Sequence, residues 1–216
     1  MLYSCVINQG THTDTYHSLT DKTRHFFVAA FRDYPAVEWI VKMDDDVYML
    51  PERLLQAADQ WAAAGADYIG CMVGGPTFAQ PGHRWHEPNA LQFGRHYPLR
   101  ALGPTYVLSR RVVQQVLVRR FRQLRPSGSC EDSALGAWML GSNAVFMPDM
   151  RLCAVVCDES AVAMCDPAAQ GLELDFWRPV HDDPACTTEP PWPMPYVPAF
   201  PRPHERWRAP LQEGIL

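Results

Sequence analysis

The sequence predicts an α/β layer fold. Apolar residues recur at helical spacing in some segments, other segments are short runs rich in β-branched and aromatic residues, and the two kinds alternate along the chain. Hydrophobic residues make up 47% of the 216 residues, which is enough for a substantial core. Because this length fits one domain, or one domain with a tail, we expect one layered unit.

The predicted elements run helix, strand, helix, strand and long loop, followed by a short strand, two helices and a last strand. Their bounds are 15–32 (helix), 37–43 (strand), 50–64 (helix), 67–73 (strand), 74–104 (loop), 106–108 (strand), 110–124 (helix), 133–140 (helix) and 144–147 (strand). The strands at 37–43 and 67–73 are expected to be neighbours in one mixed sheet. A loop as long as 74–104 is usually functional or mobile.

The two ends of the chain differ from the middle. Eight of the last thirty residues are proline, so we expect a domain over residues 1–186 and an extended or disordered tail over 187–216. The apolar run Met1–Ile7 is short and has no basic residue before it, which favours a strand over a signal peptide. No apolar run approaches the roughly 20 residues that span a bilayer, so we expect no anchor or signal in the chain as given.

The charge balance bears on possible partners. The net charge is −5, whereas a nucleic-acid-binding domain normally has a basic face, so we expect no nucleic-acid partner. An acidic protein that binds a diphosphate has to supply positive charge locally, and a bound cation is the simplest source.

The cysteines indicate an oxidising compartment. Four of the seven, Cys153, Cys157, Cys165 and Cys186, gather toward the C-terminus, a pattern that favours disulfides over free buried thiols or a zinc site. The other three are Cys5, Cys71 and Cys130. The odd number leaves at least one cysteine without a partner in the chain.

Three aspartates, Asp44, Asp45 and Asp46, follow directly after the predicted strand 37–43. Carboxylates at the C-terminal end of a buried strand lie where α/β sheets bind ligands, and alternation along an extended chain points Asp44 and Asp46 to one side. Such hard oxygen ligands suit Mg²⁺ or Mn²⁺ completed by substrate phosphates and water. The alternative is a solvated acidic turn before the next helix. An EF-hand is disfavoured because Met49 occupies the position that requires glycine.

A second acidic pair, Glu131 and Asp132, comes just before the predicted helix 133–140. A helix N-terminus stabilises a carboxylate through its dipole and free N–H groups. An ionised carboxylate can accept a proton from an attacking hydroxyl, so the pair is a candidate general base. An ordinary helix cap is the alternative.

Taken together, these motifs resemble the β-1,3-galactosyltransferase family, a group of Golgi enzymes, and most closely its plant-type and proteoglycan-linker members. The resemblance covers about residues 14–153 and extends weakly to His181. The matching segments are Asp14–Thr23, Ile40–Tyr48, Gly82–Trp85 with Tyr97 and Pro98, Ala101–Ser109, and Cys130–Trp138.

The resemblance implies a GT-A-like fold, with a mixed central sheet flanked by helices, and a role for each matched residue. It implies Asp132 as catalytic base with Glu131 beside it. The implied metal ligands are Asp44, Asp46 and His181, and the implied donor or acceptor contacts are Asp44, Asp45, Lys22, Trp85 and Tyr106. For Trp85 and Tyr106, packing in the core is an equally open interpretation. For His181, the open alternative is an exposed position in the tail.

The chemistry that follows from the resemblance is inverting transfer of galactose, or a related hexose or N-acetylhexosamine, from a UDP-sugar to a hydroxyl of a glycan or glycoprotein. A divalent ion, Mn²⁺ or Mg²⁺, would neutralise the departing diphosphate, and one base would activate the acceptor. The implied location is the Golgi lumen, with a membrane anchor on the full-length relative. Two alternatives remain: an inactive carbohydrate- or partner-binding relative, and a phosphoester hydrolase, which lacks a second ligand cluster here.

The chain also departs from the family pattern. Only about thirteen residues precede Asp14, so we expect the N-terminal nucleotide-binding part to be truncated. Ser18 stands where the family has asparagine, Arg100 where it has an aromatic residue, and Pro104 stiffens the glycine-containing segment.

Overall fold

A computed structural model of the chain describes residues 18–125, 130–165, 177–187 and 194. The predicted α/β fold is confirmed: helices flank a mixed four-stranded sheet in the described part of the chain. The helices are α1 (Leu19–Asp33), α2 (Pro51–Ala63), α3 (Ala90–Phe93), α4 (Arg110–Val112), α5 (Glu131–Leu140), α6 (Trp177–Asp182) and α7 (Pro184–Thr187). The strands are β1 (Trp39–Met43), β2 (Tyr48–Met49), β3 (Tyr68–Pro76), β4 (His96–Ser109), β5 (Phe146–Pro148) and β6 (Ala163–Met164).

The main sheet has the strand order β1-β4-β3-β5. Strand β4 is antiparallel to both β1 and β3, and β3 is parallel to β5. The expectation that the strands at 37–43 and 67–73 are neighbours is therefore wrong, because β4 inserts between β1 and β3. The loop prediction for 74–104 is also too long, since β3 continues to Pro76 and β4 begins at His96. A short β2–β6 ladder forms a separate sheet.

The sheet has a hydrophobic core on each face, because side chains alternate along its strands. Tyr68 and Leu108 belong to the core under α1 and α5, whereas their neighbours Ile69 and Val107 belong to the core under α2. Helix α2 contributes Trp61, which is completely buried and donates its indole N–H to Asp149.

The predicted helix at 110–124 is irregular. Helix α4 continues as a π-helical segment, Val113–Val118, and the region ends with a 3₁₀ turn at Phe121–Gln123. Its buried residues Val113, Val116 and Leu117 pack in the core under α1, as the helical spacing predicted.

Two disulfides are present in the described part of the chain, Cys71–Cys153 and Cys157–Cys186. The second lies within the C-terminal cluster that predicted it. The first joins β3 to the cluster, a pairing that depends on the fold and has no signature in the spacing. Cys130 is a free thiol, and the Cys165 Sγ lies 3.1 Å from the Leu152 carbonyl oxygen. Cys5 lies outside the described residues.

Of the predicted tail, residues 187–216, the structure describes Thr187 and Met194. Met194 is buried in the core under α2, and its carbonyl oxygen accepts a hydrogen bond of 2.7 Å from Gln60 Nε2. At least this residue therefore packs on the domain. No helix among the described residues is long and apolar enough to cross a membrane.

Strand β4 contains a large bulge. Gly70 of β3 pairs with Tyr106 and Met72 pairs with Ala101, so the residues between Ala101 and Tyr106 leave the ladder with β3. Proline is tolerated at such bulges because no ladder N–H is required, which accommodates Pro104. The Ala101 N–H instead donates to Tyr68 Oη at 2.8 Å.

Helix α5 lies unusually close to β4 at Gly136. A Cβ at this position would come within 2.5 Å of Arg100 Cβ and 3.2 Å of the Leu99 carbonyl oxygen. Neither atom belongs to the flexible end of a side chain, so only glycine lets the helix approach this closely.

We therefore expect Gly136→Ala to destabilise the fold by about 1–3 kcal/mol, because overpacking outweighs the gain of roughly 1 kcal/mol in helix propensity. Denaturant unfolding measures the effect. Gly141→Ala is the matched control, because a Cβ there meets its nearest atoms at an ordinary 3.8 Å. Equal stability of the two variants would contradict the assigned close approach.

Candidate active site at the end of strand β1

The three aspartates lie at the carboxyl end of β1, as predicted. The Asp44 backbone N–H donates to the Pro104 carbonyl oxygen at 2.9 Å, which fastens the start of the acidic segment to the bulge of β4. Asp45 and Asp46 are exposed, and the Asp44 side chain is 43% exposed. The segment therefore presents its carboxylates to solvent at one edge of the sheet.

The second acidic pair lies in the first turn of α5, because the helix begins at Glu131, two residues earlier than predicted. Asp132 Oδ2 accepts from Arg100 Nε at 3.2 Å, and Oδ1 accepts from the Ser133 N–H at 2.7 Å. Both oxygens of this carboxylate are therefore oriented by neighbours. Cys130 is the N-cap residue but makes no side-chain capping bond.

The bulge of β4 faces both members of the pair. A Cβ at Gly103 would lie 3.7 Å from Glu131 Oε2 and 3.9 Å from Asp132 Oδ2. The bulge, the end of β1 and the start of α5 consequently meet at one place, although they are far apart in sequence.

Lys42, near the end of β1, joins these three parts of the chain. Its ammonium donates to Asp44 Oδ1 and to the Gly103 carbonyl oxygen at 2.6 Å, and it lies 3.3 Å from Glu131 Oε1. It also lies 5.6 Å from the centre of the Tyr106 ring. Burial lowers the pKa of Lys42, but the carboxylates of Glu131 and Asp44 outweigh burial and raise it above its ordinary value.

Glu131 is the buried member of the acidic pair, with 8% of its surface exposed. Burial raises its pKa to about 7; Lys42 opposes this, while Asp132 and Asp44 add to it. The Tyr106 hydroxyl donates to Glu131 Oε1 at 3.3 Å. A carboxyl group with a pKa near neutrality has the proton affinity expected of an acid–base group.

Tyr106 and Trp85, two of the predicted donor or acceptor contacts, each lie among other aromatic side chains. Tyr106 is completely buried between Phe27 and Tyr68, so it acts on the site through Glu131. Trp85 lies in an aromatic cluster with Phe78 and His83 on the connection between β3 and β4.

Lys22 is half-buried in the first turn of α1, and His181 lies in α6, where its Nδ1 is 2.7 Å from Tyr48 Oη. Tyr48 belongs to β2, directly after the aspartate segment. The structure therefore brings His181 to the chain segment that follows Asp46.

The described residues contain no group of three or more His, Cys, Asp or Glu side chains that could hold a metal by themselves. The donor set nevertheless fits Mg²⁺ or Mn²⁺ in one respect: these ions commonly bind through one or two carboxylates and take their other ligands from phosphates and water. Asp44 and Asp46 offer such hard oxygens at an open edge of the sheet. The assignment of Asp44, Asp46 and His181 as metal ligands stays a prediction.

Sequence reasoning missed Lys42 and Arg100 as site residues. A signal for Lys42 was present, because alternation along β1 places it on the same side as Asp44. Nothing in the sequence indicated that Arg100 pairs with Asp132, since that contact depends on the close packing of α5 on β4.

A shallow concavity of about 320 Å³ lies at the opposite end of the sheet, where β1 and β3 begin and β4 ends. Glu38, Asp67, Arg110 and Arg111 are among its lining residues. None of the predicted site residues lines it.

The raised pKa of Glu131 predicts a pH dependence of stability. Between the ordinary value of 4.5 and about 7, the folded protein keeps a proton on Glu131 that the unfolded chain loses. The contribution of Glu131 to the free energy of unfolding is therefore fully present below pH 4.5 and decreases as the pH rises toward 7. We expect the stability of the wild type, relative to Glu131→Gln, to fall by on the order of 1–3 kcal/mol across this window.

Denaturant unfolding of both proteins at pH 4.5 and pH 8 measures this difference. Glu131→Gln keeps the shape of the side chain and removes its titration, so other titrating groups cancel in the comparison. A difference that is independent of pH would show that Glu131 titrates normally.

Comparison of the sequence with known proteins identifies the family of this chain. Residues 2–146 match the family model described as galactosyltransferase. Similar proteins from Arabidopsis thaliana include probable beta-1,3-galactosyltransferase 13, 34% identical over 82% of this chain and 53% of the relative. Probable beta-1,3-galactosyltransferase 12 is 36% identical over 74% of this chain and 43% of the relative.

A hydroxyproline O-galactosyltransferase from the same plant is 32% identical over 66% of this chain and 41% of the relative. The chain thus spans about half the length, or less, of these curated relatives. The family match includes the end of β1, the bulge of β4 and the start of α5. The chain belongs to the galactosyltransferase family.

Proposed function

We propose that this protein is a β-1,3-galactosyltransferase that moves galactose from UDP-galactose to a hydroxyl group of a glycan or glycoprotein, with inversion at the anomeric carbon. The observation that supports it best is the meeting of Asp44 and Glu131 at Lys42, with Asp132 next to Glu131 and paired with Arg100, in a chain of this family. A strand-end carboxylate suited to a cation and a helix-start carboxylate suited to a base then lie at one edge of the sheet.

In the proposed reaction, the acceptor hydroxyl oxygen forms the new bond to the anomeric carbon of galactose. The hydroxyl proton passes to Asp132, and the bond from the anomeric carbon to the diphosphate oxygen breaks, with its electron pair leaving on UDP. Attack opposite the leaving group converts an α-linked donor into a β-linked product. Arg100 and the Ser133 N–H hold the Asp132 carboxylate in a fixed orientation for this transfer.

Asp44 and Asp46 are the residues that would hold a divalent cation, whose charge offsets that of the departing diphosphate. Both are accessible from solvent at the end of β1, so phosphate oxygens can complete the coordination. Glu131 precedes Asp132 and contacts Lys42 and Tyr106, and its pKa of about 7 makes it the first alternative as base.

The acceptor class follows from the names of similar proteins. One relative is named as a hydroxyproline O-galactosyltransferase and others as probable beta-1,3-galactosyltransferases. We infer two acceptor classes, a glycan with a free 3-hydroxyl group and a hydroxyproline-containing peptide. The Golgi lumen fits this function and is consistent with the disulfides Cys71–Cys153 and Cys157–Cys186.

The test of the proposed base is Asp132→Asn, which keeps the shape of the side chain and removes its basicity. We expect galactosyl transfer to fall by roughly 10²–10⁴-fold, the usual size of general-base catalysis, with little change in binding of Mn²⁺ and UDP. The measurements are turnover with UDP-galactose, Mn²⁺ and the two acceptor classes, and calorimetry with Mn²⁺ and UDP.

Asp59→Asn makes the same chemical change at an exposed position of α2 and should leave turnover unchanged. Near-normal turnover in Asp132→Asn, with a large loss in Glu131→Gln, would move the base to Glu131. A wild-type protein that cleaves no UDP-sugar and transfers no galactose would instead make the chain a binding relative of the family.

A further inference from the structure

We propose that Lys42 competes with the divalent cation for Asp44 and so weakens cation binding when the donor is absent. This inference rests on the proposed function, because it takes Asp44 as part of the cation site. Lys42 acts on the cation through Asp44 and is therefore a positioning residue.

The geometry makes Lys42 a competitor. Its ammonium donates to Asp44 Oδ1, and only 16% of the Lys42 side chain is exposed. The contact is thus formed by a confined side chain, in contrast to a long lysine that moves freely in solvent. A cation that takes the lone pair of Oδ1 used by Lys42 displaces this hydrogen bond, and the ammonium charge opposes a cation at either oxygen of Asp44.

Lys42 can give up Asp44 without becoming an isolated buried charge. Its other partners are the Gly103 carbonyl oxygen at 2.6 Å and Glu131 Oε1 at 3.3 Å. An ammonium has three donors, and these two contacts persist when the third is lost. Displacement by a cation therefore costs one charge-assisted hydrogen bond and leaves the charge of Lys42 compensated by Glu131.

Two consequences follow from this arrangement. The free protein keeps Asp44 neutralised and fixed in position, which limits repulsion among Asp44, Glu131 and Asp132. The cation alone binds weakly, whereas the cation together with a diphosphate binds well, because the phosphate oxygens add ligands for which Lys42 does not compete. Cation and donor are therefore expected to bind as a unit.

The test is calorimetry with Mn²⁺ alone, and with Mn²⁺ plus UDP, on the wild type and Lys42→Met. Methionine has a similar length and removes the ammonium. We expect Lys42→Met to bind Mn²⁺ alone at least about tenfold more tightly, the factor for loss of one competing charge-assisted hydrogen bond.

Arg119→Met is the matched control, because it removes the same charge from an exposed position after the π-helical segment. Lys42→Arg keeps a competing cation and should bind Mn²⁺ like the wild type. Circular dichroism and thermal unfolding show whether each variant is folded. If Lys42→Met does not fold, Lys42→Arg is compared with the wild type in its place. Tenfold tighter Mn²⁺ binding by Lys42→Arg would then contradict competition.

Equal affinities of the wild type and a folded Lys42→Met for Mn²⁺ would overturn the inference while leaving the proposed cation site intact. A lower affinity in Lys42→Met would also overturn it, because Lys42 would then support the site. Absence of Mn²⁺ binding in both proteins, with and without UDP, would overturn both the inference and the cation-dependent part of the proposed function.

Discussion

Three carboxylates approach one another at the edge of the sheet, and their pairing with two cations, Lys42 and Arg100, allows them to do so. Asp44, Glu131 and Asp132 come from the end of β1 and the start of α5, and each would repel the others at this distance. Lys42 contacts Asp44 and Glu131 directly, while Arg100 pairs with Asp132. The negative charge of these carboxylates is therefore matched within the protein by two cations on β1 and β4.

Two backbone features, the bulge of β4 and the close packing at Gly136, bring these charged groups together. The bulge of β4 leaves the β3 ladder and turns the Gly103 and Pro104 carbonyl oxygens toward Lys42 and Asp44. Gly136 lets α5 pack against β4 closely enough for Asp132 to reach Arg100. Bulges commonly occur next to functional sites because they redirect groups that a regular ladder would consume, and the bulge in β4 has that effect.

Structural features that depend on neighbouring residues were predictable from the sequence, whereas features that depend on tertiary packing were not. Strand β1 with its aspartates, helices α1 and α2, and the Glu131–Asp132 pair were predictable, because each has a local pattern of spacing or charge. The position of β4 between β1 and β3 was not, since a long strand interrupted by Gly103 and Pro104 has the composition of a loop. The raised pKa of Glu131 likewise arises from burial under β4, which no local pattern indicates.

The central claim is that Lys42 physically couples the end of β1 to the start of α5. A double-mutant cycle with Lys42→Met and Glu131→Gln, measured by denaturant unfolding at pH 8, tests it most directly because Glu131 is ionised there in the wild type. If the two side chains interact as described, the double variant will differ from the sum of the single variants by about 1–3 kcal/mol. Additivity within about 0.5 kcal/mol would show that the two sites are independent and would contradict the claim.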